Sequence, residues 1–325
     1  MPHAIATTNG RPAMAYFGDT PWHRLGTRLE QPATAEEAIV VAGLDYEVEL
    51  ASLYTADGRT VPQRKAVIRT DANEVLGVVG NSYSPIQNRE CFQFLDAVVA
   101  EGQLEYHTAG ALGNGERVWM LAKLPGFIRV KASEDHVEKY LLLSNSHNGT
   151  SALRVFFTPI RVVCANTLAV AHRQAVDKGV SVLHKGDLGA KVREAQEILG
   201  LAARFYDDVQ VKVDRLASRY PTKAQVAEYF RSLYPNPKAS NKTRARNTRK
   251  ELFQLFEAGR GQNIYEVRHS WWAAYNAVTE YVDHRRPTRA RSEPERANRR
   301  LQSQWFGSGA RLKTAAWDLA LDLSS

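Results

Sequence analysis

The sequence predicts an α+β fold: an antiparallel β-meander sheet with helices packed on one face, followed by a mostly helical basic C-terminal region. Two observations predict it. Segments that alternate apolar and polar residues, separated by hairpin-type turns, recur from Tyr46 to Phe157, and a helical stretch follows each group of strands. Beyond Asp187 only helical spacing remains. The boundaries that follow are an irregular N-terminal arm over 1–33, an α+β core over 34–186 and a helical basic region over 187–325.

Taken in order, Pro2, Gly10, Pro12, Gly18, Pro21 and Pro32 interrupt any regular element in the arm. Thr34 with Glu37 forms a capping-box pattern ahead of a helix over Ala35–Ala42, which Gly43 ends. Tyr46–Tyr54, Arg59–Thr70 and Val75–Val79 read as three strands, the first two joined by the Asp57-Gly58 turn. Ser84-Pro85 stops them, and Phe92, Leu95 and Val99 line one face of a helix over Asn88–Ala100. A second group repeats the rhythm. Leu104–Ala109 and Arg117–Leu124 flank the Gly113-Asn114-Gly115 turn, and Lys139–Ser144 and Ser151–Phe157 flank His147-Asn148-Gly149. Val162–Arg173 reads as its closing helix. Helices are then expected over Leu188–Tyr220, Lys223–Leu233, Thr243–Gly259, Tyr265–Asp283 and Leu312–Leu323, while Arg285–Arg300 has no apolar face and reads as a mobile loop.

The charge is concentrated. The net formal charge is +8, yet Lys238–Lys313 alone holds 17 Lys or Arg against 7 Asp or Glu. A basic block of that kind is the electrostatic footprint of a polyanion partner. The longest apolar runs are too short to cross a bilayer and no signal peptide is evident, so a cytoplasmic protein without a membrane partner is expected. Cys91 and Cys164 sit in apolar runs without metal-ligand spacing and read as buried free thiols.

Motifs for catalysis are missing. There is no GxxxxGK[ST] loop, HExxH, GxSxG or paired-cysteine zinc pattern, and the histidines share no ligand spacing, so neither a cofactor nor a metal is expected. Donors are plentiful instead. Lys65 and Arg69 share one face of a strand, Arg117 and Lys123 flank another, and Arg154 lies on a third. The run from Tyr140 to Leu168 adds Asn145, His147, Asn148, Arg161 and Asn166. Trp22 and Arg24 place an aromatic beside a cation in the arm, and Lys242, Arg246, Arg249 and Lys250 form one helical stripe. Such groups hold a phosphate backbone and break no bond.

Several segments carry a resemblance: Pro21-Trp-His-Arg-Leu-Gly26, Ser144-Asn-Ser-His-Asn-Gly-Thr-Ser151, Phe157-Thr-Pro-Ile-Arg-Val-Val-Cys-Ala-Asn-Thr-Leu168, Ala274–Asp283 and Trp305-Phe-Gly-Ser-Gly-Ala310. Through them the chain resembles the phage/plasmid-like protein family built on an uncharacterised domain, domain of unknown function 932. The resemblance implies a mobile-element setting and no particular activity. At the level of fold alone, the helix–meander–helix order is similar to the core of the Rad-fifty-two-type single-strand annealing proteins.

Together these readings predict a single-stranded DNA-binding protein that promotes strand annealing in recombination or replication, working as a homo-oligomer in a bacterial host cell and possessing no catalytic residue. Lys65, Arg69, Arg117, Lys123, Arg154 and Arg161 are expected at phosphates, with Lys242, Arg246 and Arg249 adding charge. Asn145, His147, Asn148 and Asn166 are expected to hydrogen-bond the backbone, with Trp22 stacking on a base beside Arg24. The alternatives are a metal-dependent nuclease or nucleotide-processing enzyme, and an interaction or anti-defence protein that meets an acidic host protein.

Overall fold

The computed structural model describes residues 7–8, 11–17, 26–30, 34–151, 153–161, 166–167, 188–236, 242–290, 296, 299–300, 303–305 and 307–325. The capping box forms as the sequence predicts: Thr34 Oγ1 accepts from Glu37 N at 3.2 Å, and Glu37 Oε2 accepts from Thr34 N at 3.0 Å. It opens helix α1 (Ala35–Val41), which buries Ala35, Ala38 and Ile39.

Two sheets follow. The arm contributes β1 (Thr7–Thr8) and β2 (Arg11–Pro12), which pair with each other, then β3 (Met14–Phe17) and β4 (Thr27–Leu29). A three-stranded antiparallel sheet joins β5 (Val48–Tyr54), β6 (Thr60–Arg69) and β7 (Glu74–Gly80), after which α2 spans Asn88–Gly102. The larger sheet has eight strands, with β8 (Glu105–Leu112), β9 (Arg117–Arg129) and β10 (His136–Ser146) at its centre. One edge of β10 pairs with β9, and the other carries β11 (Arg154–Phe157) and β12 (Ile160–Arg161), the latter extended by β13 (Asn166–Thr167). Beyond β8 lie β3 and then β4, so two strands of the supposedly irregular arm belong to the main sheet, with β3 antiparallel to β8 and parallel to β4.

A second expectation is corrected beside β12. Asn166 and Thr167, read as part of a helix over Val162–Arg173, pair as a strand with Arg161 and Ile160; the remaining residues of that reading lie outside the described residues. The β-branched residues that read as a helical face suit a strand equally well, and short apolar runs do not separate the two periods.

Alternation along β8–β11 gives the sheet two apolar faces. Ala109, Ala111, Val118, Met120, Leu141, Leu143 and Val155 join the main core with α1 and α2. The opposite face carries Leu112, Trp119, Leu121, Tyr140 and Leu142, covered by Trp305, whose ring meets Trp119 edge-on at 4.9 Å.

Helix α3 (Leu188–Ser218) is the link between the halves. At 1.5 Å per residue its 31 residues span about 46 Å, enough to pack on α2 and then run into the C-terminal bundle. That bundle holds α4 (Lys223–Leu233), α5 (Lys242–Ala258), α6 (Trp271–Glu280) and α7 (Ser308–Leu323). The predicted helix from Tyr265 begins later, because Ser270 Oγ accepts from Ala273 N and caps α6. Every residue of α6 is buried, as a helix apolar on most sides requires, and its Tyr281–Arg285 extension is π-helical. No described helix is long and apolar enough to cross a membrane.

Candidate nucleic-acid interface

The cations and amides expected at phosphates divide sharply by burial. Four are internal. Arg161 is buried and places its guanidinium on Asp135, with Nε 2.8 and 2.9 Å from the two carboxylate oxygens and Nη2 at 2.5 Å from Oδ2. Trp272 Nε1 donates to the same Oδ2 at 2.8 Å, and Arg161 Nη1 donates to Arg260 O at 3.3 Å. This cluster ties β12 and the hairpin loop before β10 to α6. Arg69 is equally internal: Nε and Nη2 donate to Asp71 at 2.7 and 2.9 Å, Nη1 donates to Asn114 O at 3.1 Å, and the guanidinium stacks 4.0 Å above the Tyr46 ring.

The polar turn after β10 is also structural. His147 is fully buried, its Nε2–H donating to Asn88 Oδ1 at 2.9 Å while Nδ1 has no hydrogen-bond partner. Burial alone pulls its imidazole down to about 4, so the ring is neutral at physiological pH. Asn145 Nδ2 donates to Ile86 O at 3.2 Å. Asn148 Oδ1 accepts from Ser146 Oγ at 2.6 Å and from Thr150 N at 3.1 Å, closing the turn on itself. The turn docks the main sheet on the smaller one: a Cβ built on Gly77 of β7 would lie 2.6 Å from Asn148 Cα. Arg69, Arg161, Asn145 and His147 are therefore corrected from phosphate contacts to interior groups, and Asn148 to a turn-closing one. A polar turn inside a sheet and a polar turn on a ligand show the same residues, so the sequence could not separate them.

The intermediate group remains near the surface. Lys65 Nζ donates to Ser52 Oγ at 3.3 Å, and Lys123 Nζ lies 2.5 Å from Glu138 Oε1. Arg117 and Arg154 face the same side of the sheet, because Arg117 pairs across from Ser146 and Arg154 from Ser144. Arg117 Nη2 donates to Thr150 Oγ1 at 3.3 Å. Burial, aided by the nearby Arg154 charge and opposed by Glu116, lowers the Arg117 pKa. Trp22 and Arg24 lie outside the described residues, and Asn166 is placed only through its strand pairing.

The fully exposed cations are on α5. Lys242, Arg244, Arg246 and Lys250 are exposed along this helix. Arg249, expected on the same stripe, turns inward: Nη1 donates to Tyr234 O at 2.6 Å and Nη2 to Asn236 Oδ1 at 2.8 Å, closing the C-terminal end of α4. Beside them lies a cleft of about 580 Å³ lined by Asn247, Lys250, Glu251, Gln254, Leu255, Ala258 and the exposed Arg285. Asn247, Glu251 and Gln254 carry no motif, and the signal that groups them is their i, i+4, i+7 spacing, which puts them on one face. Arg285 opens the segment expected as a mobile loop, yet it ends the π-helical turn, which holds it at the cleft. Among the described residues no three His, Cys, Asp or Glu side chains gather as a metal site.

A family described as Domain of unknown function (DUF932) matches residues 75–305, from β7 through the bundle to Trp305. The chain belongs to this family. The matched span includes the cleft and the whole of α5. Neither a curated protein nor a solved structure matches the chain.

Proposed function

We propose that this DUF932 protein binds single-stranded nucleic acid, with the exposed cations of α5 and Arg285 holding the phosphate backbone. The observation that carries the reading is the run of exposed cations on α5, Lys242, Arg244, Arg246 and Lys250, the last of which lines one cleft with Arg285, where Glu251 is the single acidic lining residue. Backbone contacts of that kind need no sequence match and no reactive group. The cleft favours a single strand, because a duplex keeps its bases stacked while a single strand can turn one outwards. Arg117 and Arg154 supply a second pair of cations on the sheet, and we include them as phosphate contacts. Within the mobile-element setting that the sequence resemblance implies, the reading extends to strand annealing by a homo-oligomer.

The test is binding of the purified protein to labelled single-stranded and duplex DNA across a salt series, with magnesium present and the DNA examined for cleavage. Each phosphate neutralised on a single strand contributes about −0.7 to the slope of log K against log salt, so the four exposed cations of α5 with Arg285, Arg117 and Arg154 predict a slope of about −5. Preference for single strands on that slope, with intact DNA and faster annealing of complementary strands, is the expected outcome. Cleaved DNA would replace the proposal with the nuclease alternative. Absence of binding at low salt would replace it with an acidic protein partner.

A further inference from the structure

We propose that the cleft on α5 takes one unstacked nucleobase carrying an exocyclic amino group, which donates to the Glu251 carboxylate. This inference rests on the nucleic-acid reading above and names what the cleft selects.

The chemistry of the lining is mixed in a way that a phosphate alone does not explain. Lys250 and Arg285 are donors only, and both suit phosphate oxygens. Glu251 is an acceptor only and repels any anion placed against it. Asn247 and Gln254 each offer a carbonyl and an amide, about two turns apart on the same helix face and on either side of Glu251. Leu255 and Ala258 continue that face with apolar surface. A nucleotide presents the matching set: an anionic phosphate, an apolar ring, and an edge that both donates and accepts. The volume of about 580 Å³ falls within the range of small-ligand pockets, roughly 300–1,000 Å³.

The position of the cleft agrees with this assignment. Arg244 lies about one turn before Asn247 on the same side of α5, so it continues the cleft's face towards the start of the helix, with Lys242 and Arg246 on the adjoining sides. A strand tracked by those cations would pass the cleft mouth, with Lys250 and Arg285 near the phosphates that flank the inserted base.

Glu251 then sets the preference. Cytosine, adenine and guanine carry an exocyclic amine that can donate to a carboxylate, and a carboxylate accepting from cytosine N4 is an established pairing. Thymine and uracil carry none, and their one edge donor, N3–H, is flanked by two carbonyl oxygens that a carboxylate repels. Oligo(dC) and oligo(dT) of equal length differ little in charge, so the comparison isolates the base.

The experiment measures affinity for oligo(dC), oligo(dT) and an oligomer of N4,N4-dimethyl-deoxycytidine at one salt concentration, with wild-type protein and Glu251→Gln. The wild type is expected to bind oligo(dC) about tenfold more tightly than oligo(dT), the size of one base-specific contact. Dimethylation, which removes both amine hydrogens, is expected to erase that preference without any change to the protein. Glu251→Gln is expected to erase it while the salt slope and the thermal unfolding midpoint stay at their wild-type values. Equal wild-type affinities on a steep salt slope would overturn the base assignment and leave the nucleic-acid reading standing. A preference that survives either dimethylation or Glu251→Gln would likewise overturn it. Failure to bind any oligomer would remove both.

Discussion

Arg161→Met is the substitution that most directly separates an interior role from a ligand-binding one. The guanidinium meets Asp135 through contacts of 2.5, 2.8 and 2.9 Å, both side chains are almost wholly buried, and Trp272 Nε1 holds the same carboxylate. Removing the guanidinium leaves the Asp135 charge in a low-dielectric interior without its cation. Breaking one partner of such a pair costs about 3–5 kcal/mol. Asp135→Asn is expected to cost a similar amount, because it strands the arginine instead. The double variant, Arg161→Met with Asp135→Asn, removes both charges and is expected to cost no more than either single change, since the large penalty belongs to the unpaired charge. Urea unfolding of the four proteins at neutral pH supplies the cycle. A loss below about 1 kcal/mol for Arg161→Met, or a double variant as costly as the sum of the singles, would refute the reasoning. The folded Arg161→Met protein is further expected to keep the wild-type salt slope for DNA; a reduced slope would return Arg161 to the phosphate contacts.

Two further predictions concern the junction of the sheets. His147 is buried and neutral with a pKa near 4 against an ordinary value of 6.5, so the unfolded chain takes up its proton first as pH falls. Its contribution is fully present above about pH 6.5 and is lost between there and about pH 4, by about 3 kcal/mol, because a proton on Nδ1 would be a buried donor without an acceptor. His147→Gln is expected to flatten that part of the stability–pH curve, and an unchanged curve would contradict the assignment. Gly77→Ala places a methyl group 2.6 Å from Asn148 Cα and Cβ and is expected to cost about 1–3 kcal/mol in thermal or urea unfolding. A neutral outcome would mean that the turn is not seated against β7.

Local signals made most of the fold legible. The Thr34–Glu37 capping box, the alternation through β5–β10 and the apolar stripe of α2 each depend on neighbours within a few residues, and the structure places each near its predicted position. Pairings set by distant residues were hidden. Nothing near Met14–Phe17 announces that β8, almost a hundred residues later, completes its hydrogen bonding. The candidate interface was legible only where exposure follows from composition. The basic run opening α5 has little apolar surface of its own and remains exposed, as its sequence suggests. Arg69 and Arg161 carry the same side chain yet are interior: Asp71, two residues along the chain, neutralises Arg69, and the fold brings Asp135 to Arg161 from 26 residues away. Arg249 differs from Arg246 only in helix angle, which turns it towards the end of α4.

The decisive measurement is the salt dependence of single-stranded DNA binding by Lys242→Ala/Arg244→Ala/Arg246→Ala beside the wild type. All three side chains are exposed, so the variant is expected to unfold at the wild-type temperature. At about 0.7 per phosphate contact, the slope is predicted to become shallower by about 2 while affinity for every sequence falls alike. A wild-type slope in the folded variant would show that the strand does not follow α5.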